Sequence, residues 1–200
     1  IRDVAVTGVQ TCALPISGRG GARGGRGGLA IDHYVINAPA NDIYAAGQQM
    51  DIPMLAGANA QDLGNLGSQT ANLQWAKNRS ATGKAASYLY YFTRALPGPR
   101  SATDGAFHTG EVPYMLNSLW MIPDRPITDQ DRKIADMAAQ YWANFARTGN
   151  PNGAGLPKWE SFTENPDKVF EIGDNMGMVV PPAPAPRAGA TPAEIGRAHV

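Results

Sequence analysis

The sequence predicts an α/β fold, a partly parallel sheet covered by helices, and three stretches carry that expectation. Ile52 to Ala58, IPMLAGA, is a compact apolar run closed by turn residues. Ala86 to Thr93, ASYLYYFT, is a second such run, rich in aromatics and stopped by Pro97, Gly98 and Pro99. Neither alternates apolar with polar, which suits strands buried on both faces, as in parallel sheets. The third stretch is helical. Ile134, Ala138, Tyr141 and Phe145 recur at spacings of four, three and four, with Met137 and Trp142 widening the stripe. A helix with one apolar face needs a surface to lie on.

The remaining elements follow in order. Ala30 to Ile36 reads as a short strand or an extended loop, and Ala40 to Met50 as a short helix ended around Gly47. Leu73, Trp75 and Ala76 among polar residues make Ala71 to Arg79 a candidate helix. The stretch GEVPYMLNSL after residue 109 is helix-like. Thr128 with Asp129 and Asp131 supplies a cap and acidic residues for the long helix, and Gly149 stops it. NPNGAGLPKW is loop, Lys168 to Ile172 a last strand, and Pro181 to Pro192 a Pro/Ala tail with little reason to order.

Composition excludes some partners and leaves others open. With zero formal net charge and 17% charged residues, nothing argues for nucleic acid or an anionic membrane as the main partner. No apolar run reaches the roughly 18 residues of a membrane-crossing helix. Gly18 to Gly28, GRGGARGGRGG, is low-complexity and is expected to be disordered. Its Arg19, Arg23 and Arg26 are a weak echo of Arg-Gly RNA-binding segments, since no aromatic residue lies among them.

Both ends look like translated sequencing adapter. Glu194 to Val200 can be encoded as GAG ATC GGA AGA GCA CAC GTC. The reverse complement contains, in another frame, codons for Thr-Cys-Ala-Leu-Pro-Ile, the residues Thr11 to Ile16. Residues 1–16 and 194–200 are therefore expected to be adapter-derived, which leaves both true termini open. That sets aside His199 and the lone Cys12, so cysteine usage says nothing about compartment.

Two histidines remain, His33 and His108. His33 reads as a surface or packing residue. His108 lies on a loop after the aromatic strand, flanked by Gly105, Ala106 and Gly110, where backbone can approach a site closely. Spacing alone leaves its role undecided.

The segment GAFHTGEVPYML around His108 closely resembles the histidine motif of the type B carboxylesterases, the family of cholinesterases and bacterial para-nitrobenzyl esterases. YLYYFTRALPG resembles the strand before that motif, and IPMLAGANAQD the strand that delivers the acid. YWANFARTGNPNGAGLPKW resembles the family's C-terminal helix and following loop. These blocks lie in family order over roughly residues 30–173. The resemblance implies the C-terminal part of an α/β-hydrolase fold, residues 29–180, and a serine ester hydrolase acting through an acyl-enzyme. It implies small-molecule carboxylic esters as substrates, with no cofactor, metal, nucleic-acid or membrane partner. Many bacterial relatives are exported, but which compartment holds this chain stays open.

Carried over by position, His108 becomes the general base. The family's acid, usually Glu and less often Asp, stands five residues after the glycine closing its strand, and Asp62 fills that place after Gly57. Glu111 is the rival. It is too near His108 in sequence to reach the far ring nitrogen, and it corresponds to a buried structural glutamate of the family. None of Ser17, Ser68, Ser80, Ser87, Ser101, Ser118 or Ser161 lies in a Gly-x-Ser-x-Gly elbow. The nucleophile is expected upstream of these residues, and the chain itself is expected to be inactive.

The family separates the acid strand from the pre-histidine strand by a long helical segment, whereas about 24 residues lie between Asp62 and Tyr88 here. A short natural member and an internal deletion both fit that spacing. Two rival functions are a non-catalytic cholinesterase-like adhesion protein and an Arg-Gly RNA-binding module. The faces of the Tyr88–Phe92 strand and the Tyr141–Phe145 stripe are expected to be exposed for want of strands to cover them. Trp120 and Met121 are expected to pack rather than to line a pocket.

Overall fold

A computed structural model describes residues 31, 34–62 and 67–182 of the chain. The adapter-like ends, the Gly/Arg-rich run and His33 lie outside the described residues. So does the Pro/Ala tail beyond residue 182. Residues 34–36 form bends rather than a strand, in keeping with the extended-loop alternative for that segment.

Element order alternates helix and strand: α1 (Ala40–Ala45), β1 (Met54–Asn59), α2 (Gly67–Thr82) and β2 (Ser87–Phe92). Three short turns of helix follow, α3 (Ser101–Asp104), α4 (Val112–Met115) and a 3-10 turn (Leu119–Met121). The long helix α5 (Asp129–Thr148) precedes β3 (Val169–Ile172) and β4 (Gly177–Val179). The strands form one sheet in the order β1-β2-β3-β4, parallel at the first two junctions and antiparallel at the last. The two apolar runs are thus parallel neighbours, in register from Met54 opposite Ser87 to Asn59 opposite Phe92.

The short connection between them is one crossover. Parallel strands need a dozen or more residues to return, normally through a helix, and α2 fills that return. It extends four residues before and three beyond the span 71–79 read from the sequence.

All six residues of β2 are buried, because layers cover both faces. Tyr88, Tyr90 and Phe92 point to one side, where they meet Ile134, Ala138 and Tyr141 of α5 and Tyr114 of α4. Leu89 and Tyr91 point to the other, against Ala76 of α2 with Met54 and Val169. The expectation that the Tyr88–Phe92 strand and the Tyr141–Phe145 stripe would stand exposed is therefore corrected. These two faces cover each other, and Tyr141 is fully buried.

Trp159 anchors that layer. It stacks on Phe170 with centroids 4.8 Å apart and meets Tyr141 edge-on at 5.4 Å. The loop before it is held by one amide. Asn152 accepts from the Trp159 backbone N–H at 2.7 Å and donates to its carbonyl at 2.9 Å, as a neighbouring strand would.

Asp131, with none of its side chain exposed, joins four segments. Its Oδ1 accepts from Arg94 Nε at 2.8 Å and from the Tyr114 hydroxyl at 2.7 Å. Its Oδ2 accepts from the Thr128 N–H at 2.8 Å and from the Thr128 hydroxyl, closing a capping box at the start of α5. Arg94 also reaches Asp174 at 2.6 Å. Burial alone would raise the Asp131 carboxyl, but the bonds from Arg94, Thr128 and Tyr114 outweigh it and hold the group at about 2. Burial and the adjacent carboxylate push the Tyr114 phenol up, so it remains a donor.

A carboxyl held below its unfolded value stabilises the fold above about pH 4 and loses that contribution as pH falls towards 2. Its size is about 2.5 kcal/mol for a shift of this order. Asp131→Asn should lower unfolding free energy at pH 7 by about 2–4 kcal/mol, since Arg94 Nε loses its buried anionic acceptor and keeps only the exposed Asp174 as an ionic partner. Urea unfolding between pH 2 and 7 would show this, with the acid-dependent component missing in the variant. Equal stability of the two proteins at pH 7 would refute it.

Candidate active site

The site forms where the strand ladder between β1 and β2 runs past the strand ends. Ala60 N–H donates to Phe92 O at 2.9 Å, the last contact to β2. The next, from Gln61 N–H at 3.0 Å, goes to Ala106 O instead. Residues 93–105 make an excursion, and the chain returns beside β1 as a single parallel bridge between Gln61 and Phe107.

That register fixes the neighbours. One position beyond the bridge, where both segments turn, Asp62 and His108 stand side by side. His108 Nδ1 lies 2.7 Å from Asp62 Oδ1. The Asp62 side chain is 11% exposed and the His108 ring 42%. A carboxylate only accepts, so the shared proton belongs to Nδ1, and in the neutral imidazole this tautomer leaves Nε2 with its lone pair.

Two features turn the chain sharply on either side of the pair. Gly105 has φ 58° and ψ −148°, a region essentially confined to glycine. After His108, Thr109 takes a left-handed φ of 68°, and its hydroxyl donates to the His108 carbonyl at 2.5 Å.

Glu111 faces elsewhere. It is buried, and one of its oxygens accepts a short hydrogen bond from the Asn59 side-chain amide. The same amide nitrogen donates to Phe107 O at 2.6 Å. Asn59 at the end of β1 thus ties together the histidine loop and the start of α4. Beneath them lies Tyr90, whose phenol is pushed up by burial and, secondarily, by the negative charges of Glu111 and Asp62. The Tyr90 ring lies so close over β1 that a Cβ at Gly57 would come within 2.3 Å of it.

Of the residues read from the sequence, the structure brings His108 and Asp62 together and sends Glu111 to Asn59. Gln61, Asn59 and Ala106, which hold the two loops, carry no compositional signal. Trp120 and Met121 do not pack as expected, being 78% and 63% exposed, and Leu116 beside them is 64% exposed. The two best-formed concavities among the described residues, about 530 and 210 Å³, are lined by neither Asp62 nor His108. No cluster of metal-ligating side chains occurs among the described residues.

A largely parallel sheet, helices on both faces and an acid–histidine pair at the strand ends define part of an α/β-hydrolase fold. The likeness to solved structures agrees: a PNB esterase superposes with a TM-score of 0.61 at 17% identity, over 76% of this chain and 41% of that one. The model of the carboxylesterase family matches residues 59–183, and the chain belongs to that family. It is 36% identical over 87 residues to carboxylesterase 4A of Bos taurus, which covers 42% of this chain and 15% of the relative. It is 34% identical over 84 residues to cocaine esterase of Homo sapiens, covering 40% and 15%. The chain thus spans about 15% of the length of these curated relatives and 41% of the PNB esterase.

Asn59→Ala should remove the amide that serves Glu111 and the Phe107 carbonyl together. Leaving the buried Glu111 carboxylate without that donor costs about 1–3 kcal/mol, whereas the Phe107 carbonyl keeps the Gly110 N–H at 2.9 Å. Denaturant unfolding should show a loss of at least about 1 kcal/mol, and a loss below ~0.5 kcal/mol would contradict this account.

Proposed function

We propose that these residues supply the base and acid of a serine ester hydrolase that cleaves small-molecule carboxylic esters through an acyl-enzyme. The observation that carries this reading is the 2.7 Å contact between His108 Nδ1 and Asp62 Oδ1. With Nδ1–H donated to Asp62, His108 Nε2 accepts the proton of an attacking serine hydroxyl as the carbonyl carbon is bonded. The imidazolium formed lies beside the Asp62 carboxylate, which stabilises it. His108 then returns the proton to the departing alkoxide, and a water repeats the sequence on the acyl-enzyme. Asp62 orients the ring and fixes its tautomer throughout.

The nucleophile and the oxyanion donors belong to sequence upstream of these residues. The 200-residue chain on its own should therefore neither turn over p-nitrophenyl acetate above background nor be labelled by an active-site serine probe. Stoichiometric serine labelling would refute that.

The decisive material is the continuous protein, expressed from the gene with its upstream sequence. An elbow of the form Gly-x-Ser-x-Gly is expected there. Glycine, alanine or asparagine in place of that serine would exclude the enzyme and leave a non-catalytic binding protein. In the continuous enzyme Asp62→Asn should lower kcat by about 10⁴, with KM little changed. A loss below about tenfold would remove Asp62 from the proposed mechanism.

A further inference from the structure

We infer that Gln61 is a positioning residue that holds the Asp62–His108 pair in register, through a two-point grip on Ala106. This inference rests on the reading of Asp62 and His108 as acid and base.

Gln61 engages both polar backbone groups of one residue, 45 positions away in sequence. Its main-chain N–H donates to Ala106 O at 3.0 Å. Its side-chain Oε1 accepts from Ala106 N–H at 2.6 Å. Ala106 has no exposed surface, and its N–H, at the return of the excursion, has no strand partner to accept it. The glutamine supplies the missing acceptor. Without it, the returning loop would keep the main-chain bond from Gln61 and the Asn59 contact to Phe107 O, but Ala106 N–H would lose its acceptor beside residue 61. Two bonds to one residue oppose both rotation and sliding of the loop against residue 61.

Gly105 is matched to this grip. A Cβ there would fall 2.3 Å from Gln61 Oε1, so only glycine lets the amide carbonyl approach. The same φ of 58° turns the Ala106 N–H towards it.

Sliding matters because the pair sits one residue beyond the bridge on each strand. A slip of one position would set Asp62 opposite Phe107 or Thr109, and His108 would lose its acceptor. Gln61 touches neither reacting group, so its effect passes through the loop.

The test uses the full 200-residue chain labelled with ¹⁵N, and His108 signals assigned through His108→Gln. Long-range ¹H–¹⁵N spectra at a pH where the imidazole is neutral distinguish Nδ1–H from Nε2–H. Native chain should favour Nδ1–H, and Asp62→Asn should reverse that preference. Gln61→Leu, which keeps size without an acceptor, should move the tautomer ratio towards Nε2–H by about fivefold, the equivalent of one net hydrogen bond. Gln61→Glu, which keeps the acceptor, should restore it. Exchange of the Ala106 amide should accelerate in Gln61→Leu alone.

A native tautomer ratio and native Ala106 exchange in Gln61→Leu, with Asp62→Asn altered, would overturn the role of Gln61 and leave the pair intact. An unaltered ratio in Asp62→Asn would overturn both readings. If Gln61→Leu fails to fold, Gln61→Asn, too short by one methylene to reach, takes its place with the same outcomes.

Discussion

One buried charge organises the half of the molecule that supports the histidine. Asp131 accepts from an arginine just past the central strand, a tyrosine after the histidine loop and the cap of the longest helix. A lone carboxylate in that position would be costly, and its partners are what make burial tolerable. The arrangement makes each segment's place conditional on the others. Arg94 leaves the strand at the point where the excursion towards His108 begins, and Tyr114 stands just beyond where it ends. The charge thus fixes both flanks of the loop without touching the loop itself.

Around this node the aromatic layer supplies bulk rather than direction. Tyr88, Tyr90, Tyr141, Trp142, Trp159 and Phe170 meet mainly edge to face, the geometry that ring quadrupoles favour. They fill the space between sheet and long helix and are shared between elements far apart in sequence. Direction comes from the polar contacts at the margins: Asp131 at one end of the helix, Asn152 in the loop after it, and Asn59 under the histidine.

The strand Ser87–Phe92 could be read from the chain because it is central and buried on both faces, and so appears as an unbroken apolar run. Met54–Asn59 carries a similar run although it lies at the edge of this sheet and is only partly buried. The long helix was equally plain, since Ile134, Ala138 and Tyr141 repeat at helical spacing and Thr128 and Gly149 mark its ends. The antiparallel strand Gly177–Val179 left no such trace. It is three residues long, begins with glycine and lies at the sheet's edge, where little burial disciplines its composition. His108 and Asp62 are singled out in the sequence only by the resemblance of the segments carrying them, not by spacing. Gln61 was not found, because a contact between one side chain and a main-chain group 45 residues away imposes no pattern on the sequence around either. The exposure of Trp120 and Met121 is hidden from the sequence for a related reason: apolar character says what a residue tolerates, whereas exposure depends on what lies next to it in space.

The bridge between Gln61 and Phe107 has a consequence for how chains of this family can vary. Because alignment is re-established at residue 106, the length of the path from Phe92 to Gly105 does not set the distance between Asp62 and His108. Insertions and deletions in that path are absorbed before the register is fixed. The single step from 61 to 62, or from 107 to 108, has no such freedom. Tolerance to changes in length is therefore concentrated in the excursion and absent from the two dipeptides that close it. Related chains can differ widely in the first while keeping the second unchanged in length.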